Sequence, residues 1–164
     1  LSLSPGSASQ FVAKLEKIPH GVAGPYAGSF DPKRWSTILP ARGSIDYISG
    51  SMIAIHRDVW KYVGGFYEPY FMYYEDADLC ARATKAGFPI MHIPLHVRHK
   101  GGFNEYYLAR NHLLFVERNG PAKVKIHEFL RLLKTFYEYR ASGNIGGEAG
   151  VRDYMLRRFG RRET

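Results

Sequence analysis

The chain has 164 residues, 45% of them hydrophobic, and a net charge of +8. This is about one domain's length, with the apolar share of an ordinary globular protein and enough chain to bury a core. A single cysteine, Cys80, excludes an internal disulfide framework; no apolar run approaches the roughly 18 residues of a transmembrane helix, and no secretory signal is visible.

The charge is uneven. From Val97 onward there are 14 Lys and Arg against 7 Asp and Glu, whereas the first 96 residues carry 9 against 8. A basic back half suits an anionic partner (phosphate, nucleic acid or an acidic membrane surface) and equally suits a solvated helical tail.

In chain order, Ser7 or Ser9 can cap a first helix with Phe11, Val12 and Leu15 on one stripe, ended by Pro19. Residues 21–25 read as a short buried strand closed by Gly24-Pro25. Tyr26 to Ser44 is rich in Pro, Gly and Ser and reads as a long loop, a kind that is usually functional or mobile. Ile45 to Ile55 is a strand broken at Ser49-Gly50-Ser51. Asp58 caps a short helix over 59–63, and Gly64 supplies its left-handed stop. Residues 66–74 form an aromatic loop, with Phe66 and Phe71 expected in the core and some tyrosines facing a cleft. The loop suits a sugar-stacking wall or core packing; Trp35 and Trp60 are open in the same way.

Glu75 to Ala86 is a helix with Leu79, Ala83 and Ala86 on one face and Gly87 at its end; Cys80 packs in it as a small hydrophobe. The run FPIMHIP is a buried strand, and residues 96–99 are a shorter one. Gly101-Gly102 breaks the chain, and Asn104 caps a helix to about Asn119. After Gly120-Pro121, Ile126, Phe129, Leu130, Leu133, Phe136 and Tyr137 recur at helical spacing, with Lys125, Arg131, Lys134 and Arg140 off that stripe. A packed stripe is expected over 122–140. The run ASGNIGGEAG is a glycine-rich break before a last basic helix over 151–162, which faces membrane or solvent. Strands alternating with helices give an α/β layer architecture.

Glu75, Asp76 and Asp78 place three carboxylates in one turn. Acids in a first helical turn satisfy free N–H groups and offset the macrodipole. Three of them behind an aromatic loop also suit a general base or hard oxygen ligands for a divalent cation. The helix N-terminus would keep such a base ionised. His92, His96 and His99 make a poor zinc set: 92 and 96 share a strand face, 99 has opposite parity, and Pro94 interrupts the run.

The run from Ile45 to Asn119 resembles the C-terminal half of a family 2 inverting glycosyltransferase of the rhamnosyl- or galactofuranosyltransferase type. The ordered set that carries the resemblance is Ser49-Gly50 before a strand and Gly64-Gly65-Phe66 before the aromatic loop. Glu75-Asp76-Ala77-Asp78-Leu79 opens a helix and Lys85-Ala86-Gly87-Phe88 ends it. Pro94 follows with His99 five residues on, then Arg110-Asn111 in the next helix. Leu3–Pro25 fits the family more weakly, and the last 45 residues resemble only its variable amphipathic tail.

The resemblance implies a partial GT-A, Rossmann-like sandwich: residues 1–119 as its acceptor-side half and 120–164 as a basic amphipathic helical tail. It implies transfer of a sugar from a nucleotide-sugar donor to a glycan or lipid-linked acceptor hydroxyl, with inversion. Asp76 or Glu75 would be the base; Asp78, Tyr74, Gly50 and Gly65 would organise the acceptor side and its turn. His99 would help hold Mg2+ or Mn2+, and Arg110 would lie on the phosphate side. Peripheral membrane contact through 122–162, at the inner face of the cell membrane, is the matching location. The alternative is a non-catalytic half-domain that binds glycan or membrane. A nucleic-acid partner is disfavoured, because no recognised motif accompanies the charge. The chain departs from the family in one large respect: the amino half and its metal-binding Asp-x-Asp are absent, and the one Asp-x-Asp present is Asp76-Ala77-Asp78. It is therefore expected to be a fragment, inactive alone. A smaller departure is Tyr67, where the family usually has an acid.

Overall fold

The computed structural model describes residues 2–3, 6–16, 20–95, 97–98 and 102–162. His96 and His99 lie outside the described residues, and with them the expected metal ligand. In order, the elements are β1 (Ser2–Leu3), α1 (Ser7–Leu15), β2 (Val22–Gly24), β3 (Ala27–Phe30), β4 (Thr37–Ile38), β5 (Tyr47–Ile48) and β6 (Ala54–Ile55). Then come α2 (Arg57–Val63), a 3-10 turn (Glu68–Tyr70), α3 (Glu75–Lys85), β7 (Ile90–His92), β8 (Val97–Arg98), α4 (Glu105–Asn119), α5 (Ala122–Ala141) and α6 (Ile145–Met155). The fold is mixed α/β. The chain divides into two compact units: residues 1–29, 37–66 and 76–101 form the first, and 30–36, 67–75 and 102–164 the second.

In the first unit the central strand is β2. It pairs antiparallel with β6 (Val22 opposite Ile55) and parallel with β7 (Val22 opposite Ile90). β2 is buried throughout, and Phe11 of α1 packs with Ala23 and Ile93 against Leu15, Met52 and Met91. Gly24 belongs here because a Cβ would meet Ile48 Cγ2 and the Met52 carbonyl at 2.4 Å. The long loop expected over 26–44 is instead partly strand. β3 lies between β4 and β5, with Ala27 opposite Ile48. Gly28 leaves room for the Tyr47 ring, which a Cβ there would meet at 2.2 Å, and short strands of Gly, Ser and Ala leave little periodicity to read.

Two caps differ from expectation. Gly6, in a left-handed conformation and with no side-chain bond, precedes α1 in place of a serine. α2 begins at Arg57, so His56 is the cap: its Nδ1 accepts from the Asp58 N–H (3.2 Å), and Asp58 falls in the first turn. Gly64 ends α2 with φ 79°, as expected.

The second unit is helical. α4 is buried along most of its length and packs on α6 through Ala109, Leu113 and Val151. Gly150 allows the close approach: a Cβ there would lie 2.3 Å from the Tyr106 carbonyl. The glycine-rich run is thus the start of α6, not a break before it; Asn144 caps the helix by accepting from the Gly147 N–H (2.8 Å). Glycine costs helix stability in isolation, and tertiary packing offsets this. α5 turns inside out relative to its sequence pattern. Ile126, Phe129, Leu130, Leu133 and Tyr137 are 61–76% exposed, while Val124, Glu128 and Thr135 are buried. Of the expected stripe only Phe136 packs on this unit, against Ala109, Leu113 and Val151; the other five residues face outward. Glu128 is held in by Arg34, whose Nε and Nη2 donate to both carboxylate oxygens at 2.9 Å.

Candidate functional site

The acidic turn opens α3. Asp76 Oδ2 accepts from the Gly50 N–H and Oδ1 from the Ala77 N–H, each at 2.7 Å. The break at Ser49-Gly50-Ser51 between β5 and β6 thus presents an amide to the acid. Burial raises the Asp76 pKa above the ordinary carboxylate value, outweighing these backbone donors, which lower it. The helix N-terminus was expected to keep the group readily ionised; desolvation wins instead. The result is a more basic carboxylate, the direction that suits proton abstraction near neutral pH.

Asp78 is fully buried and serves the scaffold. Its Oδ2 accepts from Arg82 Nε (2.7 Å), and Arg82 also donates to the Val63 carbonyl and, at 2.7 Å, to the Gly65 carbonyl. This fork ties α3 to the end of α2 and the Gly64-Gly65 turn. Gly65 has φ 76°, and a Cβ there would come within 2.9 Å of the Trp60 ring. Cys80 is buried, and burial pushes its thiol pKa up to about 12, so it acts as a small hydrophobe.

The aromatic loop belongs to the second unit from Tyr67 on. The expected burial of Phe66 and Phe71 is wrong: they are 38% and 47% exposed, and Tyr70 and Tyr74 are buried in their place. The reason is the backbone. Phe71, Tyr73 and Tyr74 all have positive φ (63°, 62° and 71°), which reverses side-chain direction against a simple alternation. Such conformations cost about 1–3 kcal/mol each in bulky residues and persist only where neighbours impose them.

The neighbours are Arg110 and Asn111 of α4. The Asn111 amide nitrogen lies 2.9, 2.6 and 3.0 Å from the carbonyls of Tyr70, Met72 and Tyr73. Arg110 donates to the carbonyls of Tyr70 (2.9 Å), Pro69 (3.2 Å) and Gly160 (2.8 Å). Tyr74 rests its ring on His112 and Phe115. Asn111 is the organiser that composition and periodicity did not single out. In the sequence it stands only as the second residue of the Arg110-Asn111 pair that carries the family resemblance, with no role attached.

A set of possible metal donors also falls on residues not singled out for that role. His20 Nδ1 lies 3.2 Å from His56 Nδ1 and 3.1 Å from Asp58 Oδ2, and the third side of the triangle is 3.6 Å. Ligands about 2.0–2.1 Å from a tetrahedral ion stand about 3.3–3.4 Å apart, so the triangle has the right size for one face of such a site. It arises from register: Val22 pairs with Ile55, and the His56 N–H donates to the Gly21 carbonyl (3.0 Å), which brings His20 alongside. Two imidazoles and one carboxylate suit zinc-like ions; Mg2+ asks for oxygens. The set supports a general capacity to bind metal, on exposed residues, and does not supply the expected Mg2+ site.

No family model matches the sequence. Over 94 residues, 54% of this chain, it is 34% identical to the N-acetylglucosaminyl-diphospho-decaprenol L-rhamnosyltransferase of Mycobacterium tuberculosis, in strains CDC 1551 / Oshkosh and ATCC 25618 / H37Rv alike. Over 50 residues it is 38% identical to rhamnosyltransferase WbbL of Escherichia coli K12. The likeness supports a glycosyltransferase assignment at family level. The matched segments cover 30% and 19% of those relatives' lengths. Among the described residues, no helix is long and apolar enough to cross a membrane.

Proposed function

We propose that the chain is the acceptor-side part of an inverting glycosyltransferase of the family 2 type. It would move a sugar from a nucleotide-sugar donor to a hydroxyl of a glycan or lipid-linked acceptor. The observation that carries this reading is Asp76: a carboxylate of raised basicity, fixed by two backbone amides at the mouth of α3, in a chain similar to rhamnosyltransferases.

In the proposed step the Asp76 carboxylate takes the acceptor hydroxyl's proton. The hydroxyl oxygen then bonds to the anomeric carbon, and the bond from that carbon to the diphosphate breaks on the opposite face. Glu75 is the second candidate for the base. Asp78, Gly50, Gly65 and Tyr74 hold the turn. A divalent cation, when bound, would neutralise charge on the departing diphosphate; His99 is proposed as one of its ligands. The partial GT-A architecture and the division into 1–119 and 120–164 belong to the same proposal.

The test is transfer by the protein that carries this chain, assayed with a panel of nucleotide-sugars that begins with an L-rhamnosyl donor. Asp76→Asn should abolish transfer and keep the fold. If Asp76→Asn and Glu75→Gln both transfer at normal rates, the assignment of the base fails.

The outward stripe of α5 favours a second element of the reading, contact with the inner face of the cell membrane. Lys123, Lys125 and Lys134 flank the stripe, a pattern that suits anionic headgroups. Phe129→Glu with Leu130→Glu should abolish sedimentation with phosphatidylglycerol vesicles. Unchanged sedimentation would sink the membrane contact, and a non-catalytic membrane-binding module along with it.

A further inference from the structure

The His20, His56 and Asp58 cluster sits at one end of the first unit's sheet, and Asp76 at the other. His20 stands just before β2, and β6, antiparallel to β2, runs out into His56. At the far end of β2, Gly24 packs on Ile48 and the Met52 carbonyl, two residues from the Gly50 amide that holds Asp76. Four residues of strand, roughly 13 Å, separate His20 from Gly24, too far for one ion to serve both ends. Ligands of open α/β sheets gather at the carboxyl ends of strands, so the end where the chain enters β2 is free for a scaffold role.

The backbone under the cluster is fixed. Gly21 is buried, and a Cβ there would come within 2.6 Å of the Pro89 carbonyl and 2.8 Å of Met91 Cε. The Val22 N–H donates to the Pro89 carbonyl and the His56 N–H to the Gly21 carbonyl, each at 3.0 Å. Val59, fully buried, anchors α2. On this base the two imidazoles meet edge to face, 4.1 Å between centroids. The Asp58 N–H donates to His56 Nδ1, so the hydrogen between the rings belongs to His20, shared by His56 Nδ1 and Asp58 Oδ2. The other tautomer of His20 turns a third lone pair into the same space, and three acceptors then converge on a point fit for a cation.

The sides of the triangle place an ion 2.0–2.1 Å from all three atoms about 0.7 Å out of their plane, close to its height above one face of an ideal tetrahedron. The fourth position faces solvent and takes water. We propose that His20, His56 and Asp58 bind Zn2+, or a first-row ion of similar softness, as a clip that fastens the entry of β2 to the start of α2. The two histidines are 36 residues apart in the chain, and an ion that joins them only in the folded state adds its binding free energy to folding. The ion takes the lone pair that the Asp58 N–H holds, so one neutral cap bond is exchanged for a coordination bond. The clip stands independently of the sugar-transfer reading: it requires no turnover, and its failure would leave Asp76 untouched.

The test is thermal unfolding of the full 164-residue chain, stripped with a chelator and titrated with Zn2+ alone. At a hundredfold excess over its dissociation constant, Zn2+ should raise Tm by about 5–10 °C, and chelation should reverse the rise. His20→Ala should remove the shift and leave the Tm of the stripped chain where it was, since the side chain is 64% exposed. His56→Asn should also remove it, because asparagine keeps the cap of α2 and drops the ligand. His127→Ala, on α5, should keep the whole shift. Co2+ should give the intense visible absorption of a tetrahedral site, lost in His20→Ala. Three results overturn the proposal: no Zn2+ binding up to about 0.1 mM, a shift that survives His20→Ala, or Mg2+ raising Tm as far as Zn2+. Zn2+ that binds without raising Tm overturns the clip, and a rise that appears only as the chain dimerises overturns it in favour of a bridge between molecules.

Discussion

Replacing Asn111 by alanine tests whether one side chain imposes the left-handed aromatic segment. The Asn111 amide nitrogen serves three carbonyls, and its Oδ1 accepts from Arg110 Nε (2.9 Å). The Tyr70 carbonyl keeps Arg110 as a donor after truncation; those of Met72 and Tyr73 lose the amide, and Arg110 Nε loses its acceptor. A sheltered polar group left unmade costs about 1–3 kcal/mol, and these carbonyls are only partly buried, so the low end applies to each. The expected loss is about 2–4 kcal/mol in urea unfolding, with an unchanged m-value. Asn111→Asp should be worse than alanine, because it turns a carboxylate towards the same three carbonyls. A loss below about 0.5 kcal/mol, or aspartate tolerated as well as alanine, would refute the reasoning.

Three further outcomes follow from the same structure. The Asp76 pKa is raised on folding, so its contribution favours the fold below the unfolded-state value and is lost as pH rises through the folded value; Asp76→Asn should flatten that fall in a pH series of unfolding free energies, and an unchanged slope would refute the shift. Burial would raise the Glu128 pKa, but the Arg34 fork holds it below the usual carboxylate value; the pair's stabilisation is present above the unfolded pKa and lost as pH falls through the folded one. Arg34→Ala should cost about 2–4 kcal/mol at neutral pH, trimmed from the buried-pair range because Arg34 is 39% exposed, and no change would show the pair to be solvated. Zn2+ should bind at His20, His56 and Asp58 in competition with a chromophoric chelator, Mg2+ should not, and His20→Ala should abolish it; Zn2+ binding that survives His20→Ala would locate the ion elsewhere.

The helices with strong local signals were legible in the sequence. Asn104 caps α4 as expected, Gly64 ends α2, and α3 opens at Glu75. What escaped was set by tertiary contacts. The strands β3 and β4 lie in a Gly- and Ser-rich stretch, where pairing of β3 with β4 on one side and β5 on the other supplies the order that composition lacks. α6 starts six residues before the expected 151, because its glycines fit against Tyr139 and the α4 backbone. The acid cluster was visible as a pattern; the raised basicity of Asp76 was not, since it depends on burial. The His20, His56 and Asp58 set was invisible as a motif, because strand register brings together residues 36 apart.

α5 separates two properties that most helices combine. Its inward residues answer to the fold, and its outward ones do not. Substitutions at Phe129 or Leu130 should therefore register in what the chain adheres to while its melting stays put. Selection, or an engineer, can change adhesion here with folding left alone.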